Sequence, residues 1–302
     1  MAVGEPLFQD SCSDCHGPQG MAVNFSDESG PEYIGTLASD NPWEFIHKAR
    51  SGQPGVAEMP SAIDLGWSDE ELASVLTYAQ SLPTSSPVSE GGILYDKWWT
   101  AIGADVPEGD QPLWATQTTN TRSGADTWRC KECHGWDYKG ADGVYGAGSH
   151  ATGFAGILAA ATKPAEELAA ALTGATNQDH DFSSYLSEDQ IGMLVAFMQE
   201  GMIDKTPYIN ADKSVNGDEA HGKVLYTAAC QRCHGADGKT LNFASGDAKE
   251  YMGTVAADNP WEFLNKATVG QPGEHMPSGL NLGWSIQDAV DVMKYAQTLP
   301  IE

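Results

Sequence analysis

Every cysteine in this 302-residue chain sits in one of three Cys-x-x-Cys-His motifs, running from Cys12 to His16, Cys130 to His134 and Cys230 to His234. The spacing has a mechanical cause: two thiols three positions apart reach the two vinyl groups of one porphyrin as thioethers, and the next residue presents an imidazole to the iron. The pattern predicts three covalently bound haem c groups, held by Cys12 and Cys15, by Cys130 and Cys133, and by Cys230 and Cys233. His16, His134 and His234 are the first iron ligands. A zinc site needs a second ligand pair nearby and a redox dithiol needs a strand-helix-strand setting, and the sequence offers neither. With six sulfurs committed to thioethers, no disulfide is expected.

An internal comparison divides the chain. The segment from Cys12 to Pro83 returns from Cys230 to Pro300: Asn41-Pro42-Trp43-Glu44-Phe45 matches Asn259-Pro260-Trp261-Glu262-Phe263, and Leu65-Gly66-Trp67-Ser68 matches Leu282-Gly283-Trp284-Ser285. The middle motif lies in a more distant repeat with the same punctuation. Short helices are expected from Pro42 to Gly52, Pro164 to Gly174 and Pro260 to Gly270, each opened by proline and closed by glycine. A second helix follows each, behind Ser68 with Glu71, Ser187 with Gln190, and more weakly Ser285 with Asp288. Apolar residues at helical spacing, Leu72, Val75, Leu76 and Ala79 or Ile191, Leu194, Val195 and Met198, give these helices a buried face. Each repeat opens with glycine, leucine and an aromatic: Gly4 to Phe8, Gly92 to Tyr95 (one residue tighter) and Gly222 to Tyr226.

Between Tyr95 and Cys130 the middle repeat carries an insertion with Trp98, Trp99, Trp114 and Trp128. Two uses are open: packing over a haem face, or a surface on which a partner docks.

These features resemble tandem class I cytochrome c domains over nearly the whole chain. The resemblance rests on an opening helix into Cys-x-x-Cys-His-Gly, an intervening helix, a Met-Pro loop and a closing amphipathic helix. It implies an all-α fold of three consecutive cytochrome c-like domains, at 1–87, 88–210 and 211–302, each wrapped round one haem. The motif histidine takes one side of the iron and a loop residue the other. The middle domain departs from the pattern, through its insertion and its missing Met-Pro.

Registration proposes the second ligands. Met59-Pro60 and Met276-Pro277 follow Gly52 and Gly270 at nearly equal spacing, which assigns Met59 and Met276 to the outer haems. His275 is the nearest competitor, but its counterpart in the first repeat is Glu58. The same count from Gly174 falls on His180, with His150 as the alternative for the middle haem. Met193, Met198 and Met202 read as core or helix-end residues, and His47 and His221 as solvated or propionate neighbours. Methionine opposite histidine raises a haem's reduction potential relative to two histidines, so the middle haem is expected to be the lowest.

The chain has 42 acidic against 16 basic residues, a net charge of −26. That disfavours nucleic acid, which needs a basic footprint. It suits either redox partners with basic docking surfaces or a saline habitat. No apolar run approaches the roughly 20 residues that cross a bilayer. Covalent haem attachment happens outside the cytoplasm, so a periplasmic or extracellular location is expected. The first residues, Met1 to Pro6, lack the basic and apolar regions of a signal peptide, so the export signal is expected to lie outside this chain.

The leading functional expectation is a non-enzymatic triheme electron carrier, or the electron-transfer subunit of an oxidoreductase. A second reading stacks copies of the chain into an extracellular conductive filament, a homopolymer. A third is a haem enzyme such as a thiosulfate-oxidising cytochrome. The members compared use a cysteine ligand, and no seventh cysteine exists here.

Overall fold

The computed structural model describes residues 3–26, 32–54 and 59–301, so Glu58 lies outside the described residues. Among them the regular structure is helical, with isolated β-bridges and no strand. Contacts group the chain into two units, residues 1–86 with 275–284, and residues 87–274 with 285–302. The second unit therefore holds the middle repeat and most of the third.

The first unit contains α1 (Gly4–Ser11), α2 (Ser13–His16), α3 (Ile34–Asp40), α4 (Pro42–Ser51) and α5 (Asp69–Ala79). Its core is built from Phe8, Ile34, Leu37, Phe45, Val75 and Leu82. The segment 275–284 is pinned through Asn281, whose Nδ2 donates to the Met21 carbonyl at 2.8 Å and whose Oδ1 accepts from Ser86 at 2.6 Å.

The second unit contains α6 (Pro87–Ala101), α7 (Cys130–His134), α8 (Ala165–Leu172), α9 (Glu188–Ala196), α10 (Glu219–Ala229), α11 (Gln231–His234), α12 (Met252–Asp258), α13 (Pro260–Val269) and α14 (Ile286–Ala296). Here α6 packs on α9, α10 packs on α14, and α13 lies against both α14 and α6.

The expected helix boundaries arise from local chemistry. Asn41 and Asn259 cap α4 and α13, with Pro42 and Pro260 in the first turn where no backbone donor is needed. Ser68, Ser187 and Ser285 each form a reciprocal capping box, with Glu71, Gln190 and Asp288. The third box is as complete as the others, since aspartate at the third helical position still reaches back to the cap amide. Helix α8 differs slightly from its outer counterparts. Pro164, at ψ 144°, is the capping residue outside the helix rather than its first residue.

One helix crossing recurs three times. A Cβ added at Gly4 would lie 2.0 Å from the Ser74 carbonyl oxygen, one at Gly91 2.0 Å from that of Met193, and one at Gly222 1.8 Å from that of Asp291. Only a residue without a side chain lets the opening helix approach the closing helix this closely. In the middle repeat the residue at the crossing is Gly91, not Gly92 as its sequence suggests. Gly92 instead faces the side chain of Val269 on α13. With Gly91 in register the spacing to the aromatic is the same in all three repeats, and Phe8, Tyr95 and Tyr226 are all buried.

The tryptophan-rich insertion has 3-10 turns but no α-helix between α6 and α7. It is held by burial: Trp98, Trp99, Trp114 and Trp128 are 1%, 3%, 4% and 6% exposed. An indole of this kind removes on the order of 150–250 Å² from water, about 4–6 kcal/mol before entropy is counted. Three of the four ring N–H groups donate to carbonyls, Trp98 to that of Trp128, Trp128 to that of Gly109 and Trp114 to that of Arg122. These residues form core, so they offer no exposed aromatic docking face.

Candidate functional site

The middle motif carries the most complete geometry. Helix α7 ends at Gly135, whose φ of 77° turns the chain away immediately after His134. The bridge between Gly140 and Ala155 then lays a carbonyl beside the imidazole, and His134 Nδ1 donates to Ala155 at 2.8 Å. Residues after α8 fold back through Gly174 at φ 76° and a bridge between Thr173 and Asp181. This return holds His180 in a 3-10 turn capped by Asn177, with Nδ1 donating to the Ala171 carbonyl at 2.9 Å.

A carbonyl oxygen can only accept, so in both histidines Nδ1 carries the proton and Nε2 keeps its lone pair. The two ring centroids are 6.3 Å apart with the planes at 76°. Two metal–nitrogen bonds of about 2 Å, each extended by about 1.1 Å to its ring centre, give a separation of about 6.2 Å. The centroid separation therefore fits one iron held between the two imidazoles. Burial pushes His134 down to about 4, with the nearby His180 adding to the effect and the Ala155 carbonyl opposing it, so the ring stays neutral and ligand-competent.

His150 is differently engaged. Its ring stacks on Tyr145 at 4.6 Å, and its Nδ1 lies 3.1 Å from Arg122 Nη1. The same Nδ1 lies 3.8 Å from Glu132 Oε2, so this ring is engaged by the Arg122–Glu132 pair rather than paired with His134.

At the outer motifs burial pushes His16 down to about 4 and lowers His234 as well. Both Nδ1 atoms are buried without a hydrogen-bond partner. Each ring meets the edge of a phenylalanine, Phe25 at 5.6 Å and Phe243 at 5.8 Å. Sequence reasoning passed over these two. Their signal is the Asn24-Phe25 and Asn242-Phe243 pairs, which stand at equal distance beyond the two motifs. Each asparagine Oδ1 collects two backbone N–H groups of the loop that follows.

The six cysteines are unpaired. Met59 and Met276 are half-buried, and Met276 belongs with its segment to the first unit. His275 is exposed and donates through Nδ1 to the Asn24 carbonyl at 2.6 Å. Met198 and Met202 are core residues, and Met193 packs against that core. His47 is exposed, and His221 pairs with Asp291 at 2.9 Å on the protein surface.

Around the middle site lies a buried charge network. Asp96, 3% exposed at its side chain, accepts from Arg129 and, at 2.9 Å, from Lys266. Burial alone would raise its carboxyl, but the Lys266 and Arg129 charges outweigh that and hold it below the usual carboxylate range.

No helix of the described residues is long and apolar enough to cross a membrane. No curated protein and no solved structure matches the chain. Residues 1–78 match a family model described as cytochrome c oxidase, cbb3-type, subunit III. That likeness, together with the helical fold, supports a c-type cytochrome that binds haem c covalently and takes part in electron transfer.

Proposed function

We propose that the chain is a triheme c-type cytochrome that relays electrons between redox proteins outside the cytoplasm. When bound, each haem supplies a one-electron couple between ferric and ferrous iron. The residues do the rest. Cys12 and Cys15, Cys130 and Cys133, and Cys230 and Cys233 fasten the three groups, and His16, His134 and His234 offer neutral imidazoles. His180 offers a second imidazole to the middle iron, and Met59 and Met276 offer thioethers to the outer ones.

The observation that carries this reading is the close pair His134 and His180, 6.3 Å apart, each held by a carbonyl in the tautomer that leaves Nε2 free. With His134 and His180 both committed to it, the middle haem would offer no position to a substrate, which favours electron transfer over catalysis there. The excess of 26 negative charges would steer partners with basic docking surfaces, an interaction that weakens with salt.

The stoichiometry gives the test. The protein should retain three haems per chain after acid-acetone extraction, and the Cys130→Ala, Cys133→Ala double variant should retain two. Fewer than three on the native protein, with zinc in their place, would overturn the proposal. Carbon monoxide should not bind the reduced protein rapidly, because binding would reveal an iron with an open position.

The thioether assignments have their own readout. Met59→Ala and Met276→Ala should each remove about half of the far-red absorption band of methionine-ligated ferric haem, and the double variant should remove all of it, since independent sites add. An unchanged band in both single variants would show that the two Met-Pro segments do not ligate iron.

A further inference from the structure

Lys205 is a buried cation that neither the haem sites nor the helix packing requires. It follows the π-turn Phe197–Gly201 that ends the closing helix of the middle repeat, and it is 2% exposed. Lysine is almost never this buried without a carboxylate partner. Here the ammonium spends its donors on neutral groups. Nζ donates to the Trp136 carbonyl at 2.7 Å and to the Trp261 carbonyl at 2.9 Å, and it stands 4.7 Å from the centre of the Tyr138 ring. Three donors thus meet two carbonyls and one π face. Trp136 is two residues beyond His134, so its Cα lies within about 7 Å of that histidine's Cα.

The charges around Lys205 come from each segment that packs on it. Asp137 lies on the segment after α7, and Glu262 on α13. Lys131 and Lys266 stand at 5.3 and 5.6 Å from the Trp136 ring centre. On its own segment Asp204 pairs with Lys139 at 2.8 Å, at the solvent edge. Burial pushes the Lys205 amine down to about 7, and Asp137 and then Glu262 oppose that by favouring the charged form. A buried group with this ordinary working range and no salt-bridge partner is free to change its charge.

We infer that Lys205 is a redox-linked proton site, which couples electron transfer at the middle haem to uptake and release of one proton. The inference rests on the proposed middle haem and goes beyond it. Lys205 takes a proton from solvent, amine to ammonium, as one electron arrives at the ferric iron. It returns the proton to solvent when the electron leaves for the next redox protein. The sign follows from charge: the reduced site is more negative by one unit, so it favours the ammonium, and a buried pair of charges is little screened by salt. The middle haem should therefore be easier to reduce at low pH and harder at high pH. A purely structural lysine, fastening two carbonyls, would leave the potential indifferent to pH.

The test is a potentiometric titration of the full-length, haem-loaded protein between about pH 5.5 and 9, following the lowest potential. In the native protein it should fall as pH rises through the neutral range, approaching the limit of a tenfold change in equilibrium constant per tenfold change in proton activity, about 59 mV per pH unit for one electron. Lys205→Arg keeps the charge and cannot lose its proton, so its potential should stay flat near the native low-pH value. Lys205→Gln should be flat near the native high-pH value. If Lys205→Arg fails to fold, Lys205→Gln decides by its slope alone. A flat native profile overturns the inference, and so does a native slope that survives in the variants, which would place the proton on a haem propionate. Haem counts and the spectra of the same samples report separately on whether the middle haem and its two imidazoles are present.

Discussion

Gly91→Ala is expected to unfold the middle repeat. The added methyl would lie 2.0 Å from the Met193 carbonyl oxygen and 2.7 Å from the Phe197 Cβ, and no rotamer choice can move a Cβ. Helices α6 and α9 must part, which uncovers Leu94, Tyr95, Leu194 and Phe197. A loss of about 3 kcal/mol or more is expected, at or above the upper end for overpacking, because the clash is with backbone. It would be read as a large drop in the guanidinium midpoint of the second unit. Gly192→Ala on α9 is the control, because a Cβ there meets nothing within 4 Å. It should be neutral or stabilise by up to about 1 kcal/mol. Equal midpoints for the two variants would contradict the close crossing of α6 and α9. By the same reasoning Gly222→Ala, whose Cβ would lie 1.8 Å from the Asp291 carbonyl, should be no milder than Gly91→Ala.

His180→Met is expected to raise the lowest of the three potentials, on the order of 0.1 V or more within the roughly 0.8 V that axial ligands span. A thioether is softer than imidazole and favours ferrous iron. The Ala171 carbonyl, which now accepts from His180, loses its donor, but it lies at the end of α8 where water can replace it. Spectroelectrochemistry would show the lowest couple moving towards the outer pair while the other two stay in place. A lowest potential that does not move would remove His180 from the iron.

Much of the scaffold was legible because its causes are local. Proline in a first turn and a serine three residues before a glutamate or glutamine act within one helical turn, and the structure places helix ends at those residues. The Gly91-Gly92 pair was misread for the opposite reason. Either glycine satisfies the chain, and only the approach of Met193 from another helix distinguishes them. The burial of Trp98 and Trp128 depends on Tyr185 and Phe182, residues far along the sequence. Spacing pointed to His180 ahead of His150 but gave no tautomer. That came from a carbonyl beside its ring, while a guanidinium engages the other. Lys205 gave no signal at all, since a lysine in sequence reads as surface and its three contacts come from segments joined only by folding.

In the proposed middle centre His134 and His180, from two segments of the same repeat, flank the iron. Electron paramagnetic resonance of the oxidised protein tests this most directly, on the native chain and on His180→Ala and His150→Ala. The geometry predicts a bis-histidine signal that disappears in His180→Ala and persists in His150→Ala. A signal that persists in His180→Ala and disappears in His150→Ala would contradict it and assign the second ligand to His150.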